Sequence, residues 1–253
     1  MNIDPRIDEI VAAQPCPHLF VTISGAHLYG FPSPDSDYDI RGVHILPAAE
    51  VVGLVTGPET LDISDSVQGL ELDLVTHDIK RFFSLLLRRN GYVLEQLYSP
   101  LIVETTPEHQ ELKDIARGCI TRNHVHHYSS FAKNQWKLFR RDDPPKIKPL
   151  LYTYRVLLTG IHLMQTGRIE ANLLRLNDEF RLPQIDELVS EKLEGGERCS
   201  LRDTDLTVHR KQYEGLLDRL RQAHEDCTLI EAPTCRDALN KLLVRLRIES
   251  VEG

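Results

Sequence analysis

The chain has 253 residues, 41% hydrophobic and 27% charged, which excludes intrinsic disorder and allows one large domain or two modest ones, each with a real core. A formal charge of −8 leaves no global basic field, so a nucleic-acid partner would have to dock on a local basic patch. Five scattered cysteines without a CxxC pair fit reduced cytosolic thiols rather than a disulfide framework or zinc knuckle, and with no signal peptide or long apolar run the expected setting is cytoplasmic, with no membrane partner.

In chain order, Asp4-Pro5 followed by Ile7, Ile10 and Val11 predicts a short amphipathic helix with an Asp cap and proline in its first turn. HLFVTIS (18–24) is a buried strand ending at Gly25, YDIRGVHIL (38–46) a second, and GLELDLV (69–75) a third, alternating around Leu70, Leu72 and Leu74. The period then turns helical over 77–90, with Ile79, Phe82, Phe83, Leu86 and Leu87 on one face and Gly91 placed to end it as C′. Residues 92–98 add a helical turn or two. Beyond them strand signals cease, and segments near 108–141, 148–166, 207–225 and 235–248 carry helical spacing, separated by DDPP, EGGERCSLRD and EAPT. The expectation is a mixed α/β (α+β) domain over 1–115, with a small, mainly antiparallel mixed sheet, followed by a helical bundle over 116–253.

The chemistry concentrates in SGAHLYGFPSPDSDYDIRGVH (24–44). Asp37 and Asp39 are two apart, so on an extended chain both carboxylates leave one face while Tyr38 and Ile40 enter a core on the other. Asp73 projects from the third strand opposite to Leu72 and Leu74, and Glu71 lies on the same face as an alternative third carboxylate. If the two strands pair, three like charges converge, which is costly unless cations neutralise them. Oxygen ligands of this kind suit Mg²⁺ or Mn²⁺, and two such ions about 4 Å apart activate an attacking oxygen and stabilise a leaving pyrophosphate. A lone DxD is usually a solvated turn; the strand–Gly–x₄–Gly turn before it and the acidic strand after it set this one apart.

A glycine turn, Ser-Asp-x-Asp and a later lone Asp on a strand resemble the DNA polymerase beta-like nucleotidyltransferase superfamily. SGAHLYG followed by PDSDYDIRGV looks like a predicted bacterial and phage branch, some of it found beside RNA-repair genes. The resemblance implies that Asp37 and Asp39 bind both metals, and that Asp73 ligates one near the attacking hydroxyl. Gly25 would open a turn whose backbone N–H groups cradle the triphosphate, and Ser36 would support the loop. The family's serine after the glycine is Ala26 here, so one hydroxyl contact to the phosphates is missing, with Ser24 as a partial substitute.

Lys148, Tyr152, Arg155 and His162 form a polar stripe at helical spacing. Lys148 and Arg155 could hold a triphosphate with Tyr152 near sugar or base; a solvated helix face reads the same way. Lys133, Lys137, Arg140 and Arg141 with Trp136 suit nucleic-acid phosphates and stacking, although a tryptophan is more often core. His124, His126 and His127 lack ligand partners nearby and read as structural, with His127 and Tyr128 as possible supporting groups. Arg41 is expected to point away from the Asp pair and meet an acid on the far face.

The expected reaction is magnesium- or manganese-dependent transfer of a nucleoside monophosphate from an NTP, such as ATP, to an acceptor hydroxyl. The first acceptor is an RNA 3′ end (tRNA or another RNA, as in RNA repair). The alternatives are a hydroxyl on a partner protein and a nucleotide-binding module without turnover. A metal-dependent phosphohydrolase would call for His–Asp metal clusters that are not evident.

Overall fold

The computed structural model describes residues 3–67, 69–196, 199–201 and 206–252; of the expected loop EGGERCSLRD, residues 197, 198, 202 and 203 lie outside the described residues. In chain order the elements are α1 (Pro5–Ala12), β1 (His18–Ile23), α2 (Gly25–Tyr29), β2 (Tyr38–His44), α3 (Ala49–Val52), β3 (Thr60–Val67), β4 (Leu70–Asp78), α4 (Ile79–Leu86), α5 (Gly91–Leu97) and β5 (Ile102–Thr105). There follow α6 (Pro107–Ala116), two 3₁₀ turns (Arg117–Cys119 and Arg122–His124), α7 (Val125–Phe139), α8 (Ile147–Thr166), α9 (Leu173–Phe180), α10 (Pro183–Gly195), α11 (Leu206–Glu225) and α12 (Arg236–Glu252). The chain is thus an α/β protein with a five-stranded mixed sheet and a helical region beyond it.

Two compact units emerge, one of residues 1–25, 37–119 and 232–253, the other of 26–36 and 120–231. The first holds the sheet, in the order β3-β4-β2-β1-β5. β2 and β4 run parallel; the other neighbouring pairs are antiparallel. Side chains alternate across a strand, so Val21, Ile23, Ile40, Leu70, Leu72 and Leu74 form one core with Ile7, Ile10 and Val11 of α1. Asp4 caps α1 by accepting from the Arg6 amide at 3.0 Å. On the second face Phe20 meets Phe82 edge-on and stacks on His109 at 4.2 Å. Burial holds the His109 imidazole near a pKa of about 4 and therefore neutral.

Local chemistry moves several expected boundaries. β4 extends through Asp78, whose carboxylate accepts from the Lys80 amide at 3.0 Å and so starts α4 after the strand. Gly91 opens α5 instead of closing α4, because Asn90 caps the new helix by accepting from the Tyr92 amide at 3.1 Å. The helix expected over 108–141 is interrupted by the two 3₁₀ turns, where His124 Nδ1 pairs with the Thr121 backbone amide and hydroxyl. The C-terminal helix belongs to the first unit: Arg247 donates to the Asp78 carboxylate and the Leu46 carbonyl, a pair almost out of solvent. The thiols of Cys119 and Cys235 lie 2.8 Å apart where α12 begins.

In the second unit α8 is buried nearly all round and packed by α7, α9, α10 and α11. Gly160 allows the close approach to α7, since a Cβ there would sit 2.8 Å from that of Tyr128. Among the described residues no helix is long and apolar enough to cross a membrane.

Candidate active site

The parallel register of β2 and β4 sets Asp39 directly opposite Asp73, with Tyr38 opposite Leu72 and Ile40 opposite Leu74. As Ile40, Leu72 and Leu74 enter the core beside α1, the alternation sends Asp39 and Asp73 to the opposite face. One guanidinium nitrogen joins them: Arg41 Nη2 donates to Asp39 Oδ1 and to Asp73 Oδ2, each at 2.8 Å. The two carboxylate oxygens are therefore no more than twice that distance apart.

The rest of the Arg41 fork is also engaged. Nη1 donates to the carbonyls of Ile40 at 2.9 Å and Asp73 at 2.5 Å, and Nε donates to the Tyr92 hydroxyl at 2.8 Å. A guanidinium has five N–H donors, and each finds an acceptor here. Burial works against its charge, but the Tyr92 oxygen and the Asp39 and Asp73 carboxylates hold its pKa above the ordinary arginine value. The expectation that Arg41 turns to the far face is overturned. Residues two apart on a strand share a face, so Arg41 lies on the side of Asp39.

Gly25 closes the other flank. Its φ of 59° is left-handed, and a Cβ there would lie 1.8 Å from Asp39 Oδ2, so only glycine lets the carboxylate occupy its place. The Ser24 amide donates to the Asp39 carbonyl at 2.7 Å. The Ser24 side chain is fully buried, its Oγ without a hydrogen-bond partner among the described residues.

Asp37 is half-buried just before β2, and Glu71 is exposed. Among the described residues no three His, Cys, Asp or Glu side chains stand together as a metal-holding group. The Asp39–Asp73 pair nonetheless fits a divalent cation by its chemistry. It offers hard oxygen donors from facing strands and already gathers around one positive charge. Asp39 and Asp73, with Asp37 two residues upstream, would hold Mg²⁺ or Mn²⁺.

The remaining expected residues belong to the second unit. Ala26 is buried in α2 and its carbonyl accepts from the Gly30 amide at 3.0 Å. Ser36 Oγ accepts from the Ser33 amide at 3.0 Å, and fully buried Lys192 of α10 donates to Ser33 Oγ at 2.9 Å. Lys148 and Tyr152 are half-buried on α8, with the ammonium 5.8 Å from the ring centre. Arg155 is 2% exposed and lies 3.9 Å from the Tyr29 ring, while Tyr152 meets Tyr29 and Phe31 edge-on. The polar stripe is thus an internal cation–aromatic cluster, not a solvated face. His162 turns to Glu179 at 3.1 Å. His127 is kept neutral, near a pKa of about 4, by burial and then by Arg155 and His124. Trp136 is core, stacked on Tyr213 at 4.4 Å, and Lys133, Lys137, Arg140 and Arg141 are exposed.

Sequence reasoning missed Arg41 as the bridge, although its spacing from Asp39 carried the signal. Tyr92, Tyr29 and Lys192 had no local signal: each acquires its role from a neighbour distant in sequence.

The sequence profile of the RNA repair pathway DNA polymerase beta family (RlaP) matches residues 1–245. Uncharacterized protein MJ0002 of Methanocaldococcus jannaschii is 32% identical over 155 residues, which span 61% of this chain and 63% of that one. Uncharacterized protein YcgL of Bacillus subtilis is 24% identical over 233 residues, 89% of this chain and 88% of its own. A nucleotidyltransferase-like protein from Exiguobacterium sibiricum, of known crystal structure, aligns with a TM-score of 0.33 at 13% identity, over 88% of this chain and 73% of that one. A profile that runs through sheet and helices alike makes the chain a member of the RNA repair pathway DNA polymerase beta family, and so a polymerase beta-like nucleotidyltransferase.

Proposed function

We propose that the chain transfers a nucleoside monophosphate from an NTP to the 3′ hydroxyl of an RNA, releasing pyrophosphate, in the cytoplasm and with Mg²⁺ or Mn²⁺. The observation that carries this reading is the in-register Asp39–Asp73 pair, with Gly25 holding open the place of Asp39. When bound, the metal would supply Lewis-acid activation of the attacking oxygen and neutralisation of the leaving pyrophosphate. Asp37 and Asp39 would hold the metal and orient the triphosphate through it, and Asp73 would serve as a further ligand on the side of the acceptor hydroxyl. The turn at Gly25 offers backbone amides to the phosphates, which partly offsets the absence of a hydroxyl at Ala26.

In the second unit Lys148, Tyr152 and Arg155 are proposed to bind nucleotide. Half-buried Lys148 would act as the phosphate contact, and buried Arg155 would stiffen the Tyr29 and Tyr152 rings. The exposed cations Lys133, Lys137, Arg140 and Arg141 are the proposed RNA contacts. Ser36 supports the loop through Ser33.

The test incubates the protein with Mg²⁺ or Mn²⁺, each α-³²P-labelled NTP in turn and a mixed RNA pool, beside an Asp37→Ala, Asp39→Ala double variant. Label in RNA that disappears in the variant is the expected result. Label on protein would transfer the same chemistry to a protein hydroxyl. NTP binding without label anywhere would leave a binding module.

A further inference from the structure

We propose that Arg41 is a resident counter-cation: its Nη2 occupies the charge position between Asp39 and Asp73 when no metal is bound, and yields those oxygens to a divalent cation. This rests on the nucleotidyl-transfer reading of the same carboxylates and assigns Arg41 a positioning role within it.

Two carboxylates facing each other in register repel, and burial magnifies the repulsion. Arg41 removes it with a single nitrogen, 2.8 Å from each. That nitrogen's two hydrogen bonds are the ones a metal would replace. The other three bonds of the fork go to the Ile40 and Asp73 carbonyls and the Tyr92 hydroxyl, none of them a side-chain carboxylate. Loss of the Nη2 bonds therefore leaves the guanidinium tethered by Nη1 and Nε. It remains beside the incoming cation instead of swinging into solvent.

Two consequences follow. Without metal the site is pre-assembled, since Asp39 and Asp73 are held in place by a permanent charge. With metal the tethered guanidinium is a like charge a few ångströms away, so it weakens divalent binding. Occupancy is then strengthened by a further source of negative charge, which a triphosphate brings with it.

The experiment measures Mn²⁺ binding to the full-length chain, without nucleotide, by the disappearance of the free-ion electron paramagnetic resonance signal. The proteins are the wild type, Arg41→Gln, Asp39→Asn and the double variant. Arg41→Gln is expected to bind Mn²⁺ about tenfold or more tightly than the wild type, in keeping with removal of a like charge at a partly buried site. Asp39→Asn is expected to abolish that gain in the double variant. If Arg41→Gln binds no more tightly while Asp39→Asn eliminates binding, the role of Arg41 is overturned and the metal site stands. If Asp39→Asn changes nothing in either background, the ion is elsewhere, and the proposal and the carboxylate reading fall together.

Should Arg41→Gln not fold, the wild type decides. With ¹⁵N-labelled arginine, a Mg²⁺ titration should shift the Arg41 Nη signals and speed their hydrogen exchange, while Nε, still on Tyr92, keeps its protection. Arg41 signals that stay unmoved at saturating Mg²⁺ would overturn the proposal.

Discussion

Two buried arginines, one in each unit, solve the same problem by different means. Arg41 sits on the sheet and satisfies its charge with two carboxylates, two carbonyls and a phenol. Arg155 sits on the central helix of the second unit, where the Tyr29 ring lies 3.9 Å away and Tyr152 and Phe131 about its flanks. Carboxylates are acceptors for which a metal ion competes, whereas aromatic faces attract a hard divalent cation far less than water does. The first arginine is therefore exchangeable for another cation, and the second is a fixed element of packing.

The sharpest way to break that contrast is at Gly25. Gly25→Val places a side chain where Asp39 Oδ2 now lies and forces a strained φ of 59°. Nucleotidyl transfer should fall by about a hundredfold or more, the cost of moving a reacting group by an ångström. A rate within threefold of wild type, measured with the labelled-NTP assay, would mean that Asp39 needs no such placement.

Arg155→Met tests the fixed partner, keeping most of the volume while removing the charge. Urea unfolding should reveal a loss of about 2 kcal/mol, the scale of a desolvated cation–π contact, with Mn²⁺ affinity unchanged. A gain in stability would instead mark Arg155 as a desolvation burden.

Much of the sheet, though not the two arginines' surroundings, was readable in advance, and the reasons are local. β1, β2 and β4 announce themselves because β-branched runs and strict alternation mark strands with a buried face. β3 did not, since its outer positions Asp62 and Ser64 are polar and it lies at the sheet edge, and β5 is only four residues long. α9 spans only eight residues, and α10 carries few large apolar side chains beyond Ile185, Leu188, Val189 and Leu193. The acidic residues that meet across β2 and β4 stand out from their apolar neighbours, but pairing them requires a register that no single strand contains. The aromatic surroundings of Arg155 were unreadable for a similar reason: Tyr29 and Phe31 reach α8 only through the tertiary fold.

Smaller effects refine the comparison. Lys192→Met removes a charge-assisted hydrogen bond from the loop that ends at Ser36, and should cost about 1.5 kcal/mol in the same unfolding assay. An unchanged midpoint would show that the loop is held by other bonds. Tyr92→Phe deletes one tether of Arg41 and should cost about 1 kcal/mol. It should also broaden the Arg41 Nε–H signal as solvent exchange quickens; a signal as sharp as in the wild type would place the weight of the tether on the two carbonyls.

The return of α12 to the first unit has a consequence for how the protein is made. Asp78 is synthesised early, yet its partner Arg247 leaves the ribosome only after the whole stretch 120–231 has been translated. At ordinary elongation speeds that interval is on the order of ten seconds. Throughout it the nascent sheet carries an acidic side chain whose eventual cation does not yet exist, so final closure of this unit is timed by translation of the other.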